Sequence, residues 1–261
     1  MAETWRGLWV VAYREVLRFL ADRTRAASSF AFPLLFLVIF GAGFSKALGA
    51  LAPGVNYIQY MFPGIIAMTV LMNSLFSGIS VVSDKEFGFL KEIRVAPSGR
   101  TGIALGKAVG GSVIAVIQAL VLLVLAPIVG VTLSLRIVVE MIPVVIILSL
   151  GLSGLGILIA SFMETQQGFQ LLLQLLIFPL IFLAGVFFPT NAEPTWMSVI
   201  SKVNPLTYGV AAVRQIFLGT AQSLGITVFH HTMTLGQEVA VVVVVSAVLL
   251  GAAGIAFTRQ S

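Results

Sequence analysis

Six charges crowd into the fourteen residues Asp84-Lys85-Glu86-Phe87-Gly88-Phe89-Leu90-Lys91-Glu92-Ile93-Arg94-Val95-Ala96-Pro97, in a chain that is only 10% charged. Charge-free stretches, residues 47–83 and 108–135, flank them. Taken as a helix with Ser83 or Asp84 as N-cap and Pro97 closing it, the segment gathers Phe87, Phe89, Leu90 and Ile93 on one arc. Asp84, Lys85, Lys91 and Glu92 fall on the other, and Glu86 and Arg94 intrude on the apolar side. A helix resting on lipid has no use for the Glu86 carboxylate there. A helix docked in the groove of a partner protein, with a donor facing that carboxylate, does; a solvated loop with incidental charges is the plain alternative. The chemistry these residues offer is therefore recognition.

Chemistry of other kinds finds little footing. His230 and His231 are adjacent and have no cysteine or acidic companions, so no metal site is expected. No nucleophile–base set converges, so the chain is not expected to be an enzyme. No Gly-x-x-x-x-Gly-Lys-Ser/Thr phosphate loop is present, and any ATP hydrolysis has to come from another subunit. The chain has no cysteine, so neither disulfides nor thiol chemistry enter, and the redox compartment is not indicated.

A second polar pattern lies among apolar residues, where such groups are costly. Gln167, Gln170 and Gln174 recur at helical spacing and Phe178 continues the stripe, while Asn73 sits mid-way along another apolar run. These amides could line a transport path, join two subunits by interhelical hydrogen bonds, or pack within one subunit. Gly106 with Gly110, and Gly151, Ser153, Gly154 and Gly156, favour close helix packing.

The elements that must position these residues are membrane helices. Hydrophobic residues make up 59% of the 261, and charge-free windows recur at 26–45, 47–83, 108–135, 141–163, 165–192 and 239–258. Each is long enough to cross ~30 Å of hydrocarbon, which takes about 20 residues. The fold class expected is an all-α integral membrane protein of one domain, 1–261, with six spans at 27–47, 58–82, 103–130, 138–162, 166–188 and 238–257. Residues 4–25 form no span: Trp5, Leu8, Trp9, Ala12, Val16 and Leu20 oppose Arg14, Arg18, Asp22 and Arg25, the pattern of an interfacial amphipathic helix on membrane lipid. A cytosolic helix packed on a partner would share that pattern. The charge-rich residues ahead of the first apolar run, and the spans after it, argue against a cleaved signal peptide.

Eleven Lys and Arg fall on the side that holds Arg6 to Arg25, Lys85 to Lys107 and Arg259; Lys46, Arg136, Lys202 and Arg214 are the four on the other. Positive residues mark the cytoplasmic side, so both termini and residues 84–97 are expected in the cytoplasm and residues 189–237 outside. The net charge of +5 flanks spans as topology requires and does not point to nucleic acid.

The run Asp84 to Glu92 with Ala96-Pro97 resembles the coupling-helix signature of ABC type-2 export permeases, with the daunorubicin-resistance and nodulation-factor exporter permeases the most similar group. A second motif agrees: Phe178-Pro179, Gly185-Val186-Phe187-Phe188-Pro189, Asn204-Pro205-Leu206-Thr207-Tyr208 and Arg214. The resemblance implies a membrane subunit paired with a second copy, a homodimer on two copies of a separate ATPase that holds ATP and Mg. It implies that residues 84–97 couple to that ATPase, with Asp84, Glu86, Phe87, Gly88, Leu90, Glu92 and Pro97 matching the motif. It implies that residues 189–220 form re-entrant helices outside, carrying Pro189, Asn204, Pro205, Tyr208 and Arg214. The implied location is the plasma membrane of a prokaryote; the expected path, apolar with amide and aromatic groups but no fixed charge, suits a lipid, glycolipid or amphipathic drug as cargo, and a lipid-linked saccharide as well. A secondary transporter or channel is the rival class; such proteins place ionisable groups mid-membrane, and no charge here falls at the centre of an expected span.

Overall fold

Hydrocarbon offers no water to backbone N–H and C=O groups, so an apolar chain satisfies them within helices. The computed structural model describes residues 2–51, 57–86, 100–130, 133–188, 194–218, 226–228 and 231–259. Ten helices carry the described chain: α1 (Ala2–Ala21), α2 (Arg23–Leu51), α3 (Tyr57–Phe76), α4 (Ile79–Glu86), α5 (Arg100–Leu125), α6 (Leu135–Phe162), α7 (Gln166–Phe182), α8 (Thr195–Val203), α9 (Pro205–Leu218) and α10 (Leu235–Arg259). A short 3-10 turn, Ala126–Val129, follows α5. Two-residue strands β1 (Thr227–Val228) and β2 (His231–Thr232) pair antiparallel.

Among the described residues, four helical stretches are long and apolar enough to cross a membrane: Tyr57–Glu86, Leu105–Ile128, Leu135–Phe162 and Leu235–Ala256. They coincide with the expected spans 58–82, 103–130, 138–162 and 238–257. A fifth counts if Gly7–Ala21 and Ala26–Gly41, bent by 72°, are one span. The expected span 166–188 is a shorter helix, Gln166–Phe182. Its end is a turn: Leu183 N–H bonds Pro179 O, and Gly185 takes φ +72°, which stops a helix and redirects the chain.

α3 is the mast of the bundle. Fifteen of its residues are buried, and α2, α5, α6, α7 and α9 all touch it. α9 is buried from Gly209 to Phe217 among α3, α6 and α10, so α9 packs inside the bundle. Small residues set the helix distances. A Cβ on Gly106 would lie 2.8 Å from Leu8 O and one on Gly110 2.9 Å from Glu15 Cβ, so α1 rests directly on α5. A Cβ on Gly151 would lie 2.7 Å from Ser246 Cβ and one on Gly154 2.9 Å from Leu250 N, which brings α10 equally close to α6.

α1 is three-sided. Ala12 and Phe19 are buried, with Glu15 half-buried on the same side; Trp9, Val10, Tyr13, Leu17 and Leu20 form one exposed apolar arc; Arg14 and Arg18 are exposed beyond it. The expected interfacial helix 4–25 thus has an apolar and a cationic face, and it also has a third face committed to α5.

Candidate functional site: a charged clamp, an apolar cavity and a carbonyl latch

The span Tyr57–Glu86 is broken at Ser77–Gly78, where Ser77 N–H and Gly78 N–H bond Ser74 O and Leu75 O, three residues back. α4 follows the break and ends in Asp84-Lys85-Glu86. Successive helical residues point ~100° apart, so three consecutive charges reach three different neighbours. Asp84 Oδ2 accepts from Lys107 Nζ on α5 at 2.5 Å. Lys85 Nζ donates to Ser161 O and, at 3.4 Å, to Ala160 O. Those carbonyls sit in the last turn of α6, where backbone acceptors lack partners and a cation is favoured. Glu86 Oε2 accepts from Gln166 N at 3.1 Å, the first N–H of α7, where an anion is favoured for the converse reason. Ser83 Oγ accepts from Gln166 Nε2 at 3.3 Å.

The turn joining α6 to α7 is therefore gripped from both sides by α4, and α5 is tied to α4 by an ion pair with Lys107 only 2% exposed. The donor that the sequence led one to seek for Glu86 on a partner is present within the chain. Phe87, Gly88, Leu90, Glu92 and Pro97, and the rest of 87–99, lie outside the described residues, as does Pro189.

A cavity of about 260 Å³ opens between α2, α3 and α7, walled by Phe32, Phe36, Met72, Phe76, Gln174 and Phe178 among others. Its lining is almost wholly apolar. Phe36 and Phe182 of the wall pack with Phe40 and Phe187, with ring centroids 4.7 to 5.4 Å apart. Gln174 and Phe178 of the predicted stripe meet here. Gln167, Gln170 and Gln174 all present exposed side chains. Asn73 is not with them: its Nδ2 donates to Thr69 O at 3.0 Å, and it faces a small cavity beside Lys107 on another side of α3.

At the opposite end of the bundle the second motif ties the end of α7 to α9. The chain leaving α7 presents carbonyls that no helix bond takes up, and side chains from α9 and its approach collect them. Asn204 Nδ2 donates to Leu180 O at 2.7 Å, Thr207 Oγ1 to Leu183 O at 3.5 Å, and Arg214 Nη2 to Gly185 O at 2.7 Å. From α3, Tyr57 OH donates to Phe187 O at 3.2 Å. Arg214, 4% exposed, also donates from Nε to Tyr60 O at 3.2 Å, and its guanidinium lies 3.8 Å from the Tyr60 ring centroid. Asn204 Oδ1 accepts from Leu206 N at 3.0 Å beside Pro205, the first residue of α9, and Tyr208 OH donates to Lys202 O at 2.7 Å. Asn204, Pro205 and Tyr208 thus sit together at the start of α9, while Arg214 lies nine residues further along the same helix.

A family profile described as ABC-2 type transporter matches residues 6–218, most of the chain and all three of these features. The chain belongs to the ABC-2 type transporter family. Relatives with this likeness include ycf38 of Cyanophora paradoxa, a transport permease by name, 28% identical over 218 residues that cover 81% of this chain and 75% of that one. The daunorubicin resistance ABC transporter permease protein DrrB1 of Streptomyces coeruleorubidus is 28% identical over 72% of this chain and 67% of its own length. Nodulation protein J of Rhizobium meliloti is 24% identical over 81% of this chain and 82% of its own length.

Within this ABC-2 chain, several residues of the site escape sequence reading. Lys107 counts there only as one of the cytoplasmic positives; its place on the same face as Gly106 and Gly110, the face that receives α1, was the available signal. Tyr57 and Tyr60 carry no such signal, because their partners lie more than a hundred residues away. Glu238, fully buried in the first turn of α10, accepts from Ile226 N at 3.2 Å and ties the β1–β2 ribbon to the bundle. No group of three or more His, Cys, Asp or Glu stands together among the described residues.

Proposed function

We propose that this chain is the membrane subunit of an ATP-driven exporter, with six spans when α2 and α7 are counted, both termini in the cytoplasm of a prokaryotic cell, and residues 84–97 docked on a separate ATPase. The observation that carries the reading is the distribution of Asp84, Lys85 and Glu86 into three helices immediately before residue 87. A displacement delivered to 87–97 reaches α5, α6 and α7 together, because each is held by its own charge-assisted bond. Two ATPase copies, carrying ATP and Mg, would close and drive two such clamps. The test is reconstitution in proteoliposomes with the neighbouring ATPase subunit, following ATP hydrolysis and export together. ATP-independent transport would refute the reading.

Glu86→Ala should separate the two activities. It removes a charged acceptor from the first turn of α7, worth about 1–2 kcal/mol. Export per ATP is expected to fall roughly 5- to 30-fold with insertion intact, and Glu86→Gln, which keeps an acceptor oxygen, should fall less. Unchanged export in Glu86→Ala would remove Glu86 from the coupling path.

The cargo is proposed to be amphipathic. DrrB1 is named for daunorubicin resistance and Nodulation protein J for nodulation. The cavity's aromatic and methionine walls, with a single amide at Gln174, suit an apolar body carrying a few polar groups. Daunorubicin, with its own fluorescence, is the first probe to test in the proteoliposomes.

A second copy is proposed to cover α7. Three exposed amides on a helix that otherwise shows Leu171, Leu175 and Phe178 to the bilayer call for hydrogen-bond partners, each worth up to about 1–2 kcal/mol within a membrane. The triple change Gln167→Leu, Gln170→Leu and Gln174→Leu should lower the dimer fraction about tenfold or more at fixed protein-to-lipid ratio. Subunit counting by photobleaching in vesicles reads it, and an unchanged count would place the interface elsewhere.

A further inference from the structure

Lys107 sits where three helices meet. It lies one turn ahead of Gly110 on the face of α5 that receives α1, and Glu15 of α1 stands directly over Gly110. Residues three apart on a helix are neighbours, so the Glu15 carboxylate and the Lys107 ammonium are adjacent across the α1–α5 contact. Both line a cavity of about 20 Å³ closed by Phe19, Asn73, Ser77, Gly111 and Ile114, room for about one water molecule. Lys107 gives its ammonium to Asp84 of α4 at 2.5 Å. Glu15 Oε1 is buried and accepts no hydrogen bond among the described residues; Arg14 Nη2 lies 3.8 Å from it, an ion pair at the edge of contact.

Leaving a cation 2% exposed without an anion is costly, so a second carboxylate within reach lowers the barrier to breaking the first pair. If α4 swings with the coupling segment, the Asp84 bond must break, and the swing would be costly unless another carboxylate were in reach. Glu15 is that carboxylate, and it rides on a helix that the Gly106 and Gly110 contacts hold to α5. We infer that Lys107 is a two-position charge switch, bound to Asp84 when α4 is seated and handed across the small cavity to Glu15 when α4 is displaced. The inference rests on the coupling function proposed above and adds its regulation: the hand-over lets α4 move without leaving a bare charge, while α1 and α5 stay together. Lys107 is thereby a positioning residue, acting on the cargo only through the helices it links.

The experiment is cryo-electron microscopy of the permease–ATPase complex in nanodiscs, without nucleotide and trapped with ADP–vanadate, a comparison that needs no cargo. Lys107 Nζ is expected on Asp84 in the first state, and on Glu15 in the second with Asp84 beyond the roughly 4 Å reach of an ion pair. Alongside, Glu15→Gln should keep the nucleotide-free contacts and the elution profile of wild type while slowing ATP turnover by the complex about tenfold, and Glu15→Asp should recover most of it. Lys107 held on Asp84 in both states, or Glu15→Gln turning over ATP at more than half the wild-type rate, overturns the switch while leaving coupling itself intact. A permease that binds no ATPase overturns the proposed function and the switch with it.

Discussion

Gly78→Ala should prevent the bundle from closing. A methyl at Gly78 would overlap Gly156 O and stand 2.7 Å from Gly156 C and 2.8 Å from the Phe169 ring. Across the same contact, a methyl at Gly156 would stand 2.5 Å from Leu75 O. Extra volume in a packed core costs about 1–3 kcal/mol when side chains can yield. Here the opposing atoms are mostly backbone, in a helix that α3, α5 and α10 already confine, so the cost should exceed about 3 kcal/mol. The consequence reaches the clamp, because Gly78 is the joint between α3 and α4. Pushing α4 off α6 moves Lys85 and Glu86 away from the carbonyls and the N–H they hold. The expected result is a sharp fall in melting temperature in detergent, with aggregated material on size exclusion, for both Gly78→Ala and Gly156→Ala. Gly251→Ala, whose Cβ would meet nothing within 4 Å, is the control and should be neutral or slightly stabilising. A Gly78→Ala protein that is monodisperse and melts like wild type would show that the joint has slack.

The contrast between what local pattern reveals and what it hides is clear at these same positions. The spans at 58–82, 103–130, 138–162 and 238–257 were legible because a helix in hydrocarbon needs only length and hydropathy, both properties of contiguous residues. The small residues at Gly106, Gly110, Gly151 and Gly154 were legible as contact points for a similar reason: a missing side chain announces a near neighbour, although not which one. The end of α7 was not legible. The apolar run continues to residue 188, but the helix stops at Phe182 because Gly185 turns at positive φ and its carbonyl is taken by Arg214, 29 residues further on. Asn73 shares the amide chemistry of the glutamines but faces another side of α3, and only the packing of α1 and α5 around that helix tells them apart. Glu86 is the most instructive case. Its polarity on an apolar arc led one to expect a donor on a partner protein, and within the chain its carboxylate accepts from the backbone of Gln166, 80 residues away. A residue's need for a partner is local information; the partner's identity is tertiary.

Arg214→Met should open the far end of the bundle by the opposite route, removing a group instead of adding one. The guanidinium fills three roles with one plane: it donates to Gly185 O, donates to Tyr60 O and lies on the Tyr60 ring. Methionine matches the length and apolar volume but supplies no donor, so two carbonyls would be left short of partners in a site where Arg214 is 4% exposed. At about 1–3 kcal/mol for each buried group left short, and with the cation–π contact also lost, the change should cost about 3 kcal/mol or more. Arg214→Lys should recover less than half of it, because an ammonium is a point charge that neither forks between two acceptors nor stacks. Native-state hydrogen exchange over residues 180–188 and 205–218 checks this. Faster exchange confined to those two segments, with α3 and α6 unchanged, is expected for Arg214→Met. Wild-type exchange in Arg214→Lys would mean that positive charge alone holds the turn. The planar fork matters to function because it joins the end of α7 to α9 and α3 at a point far from the charged clamp. A helix gripped at Gln166 by Glu86 and at Gly185 by Arg214 is fixed at both ends, and motion imposed at one end must be resisted or released at the other.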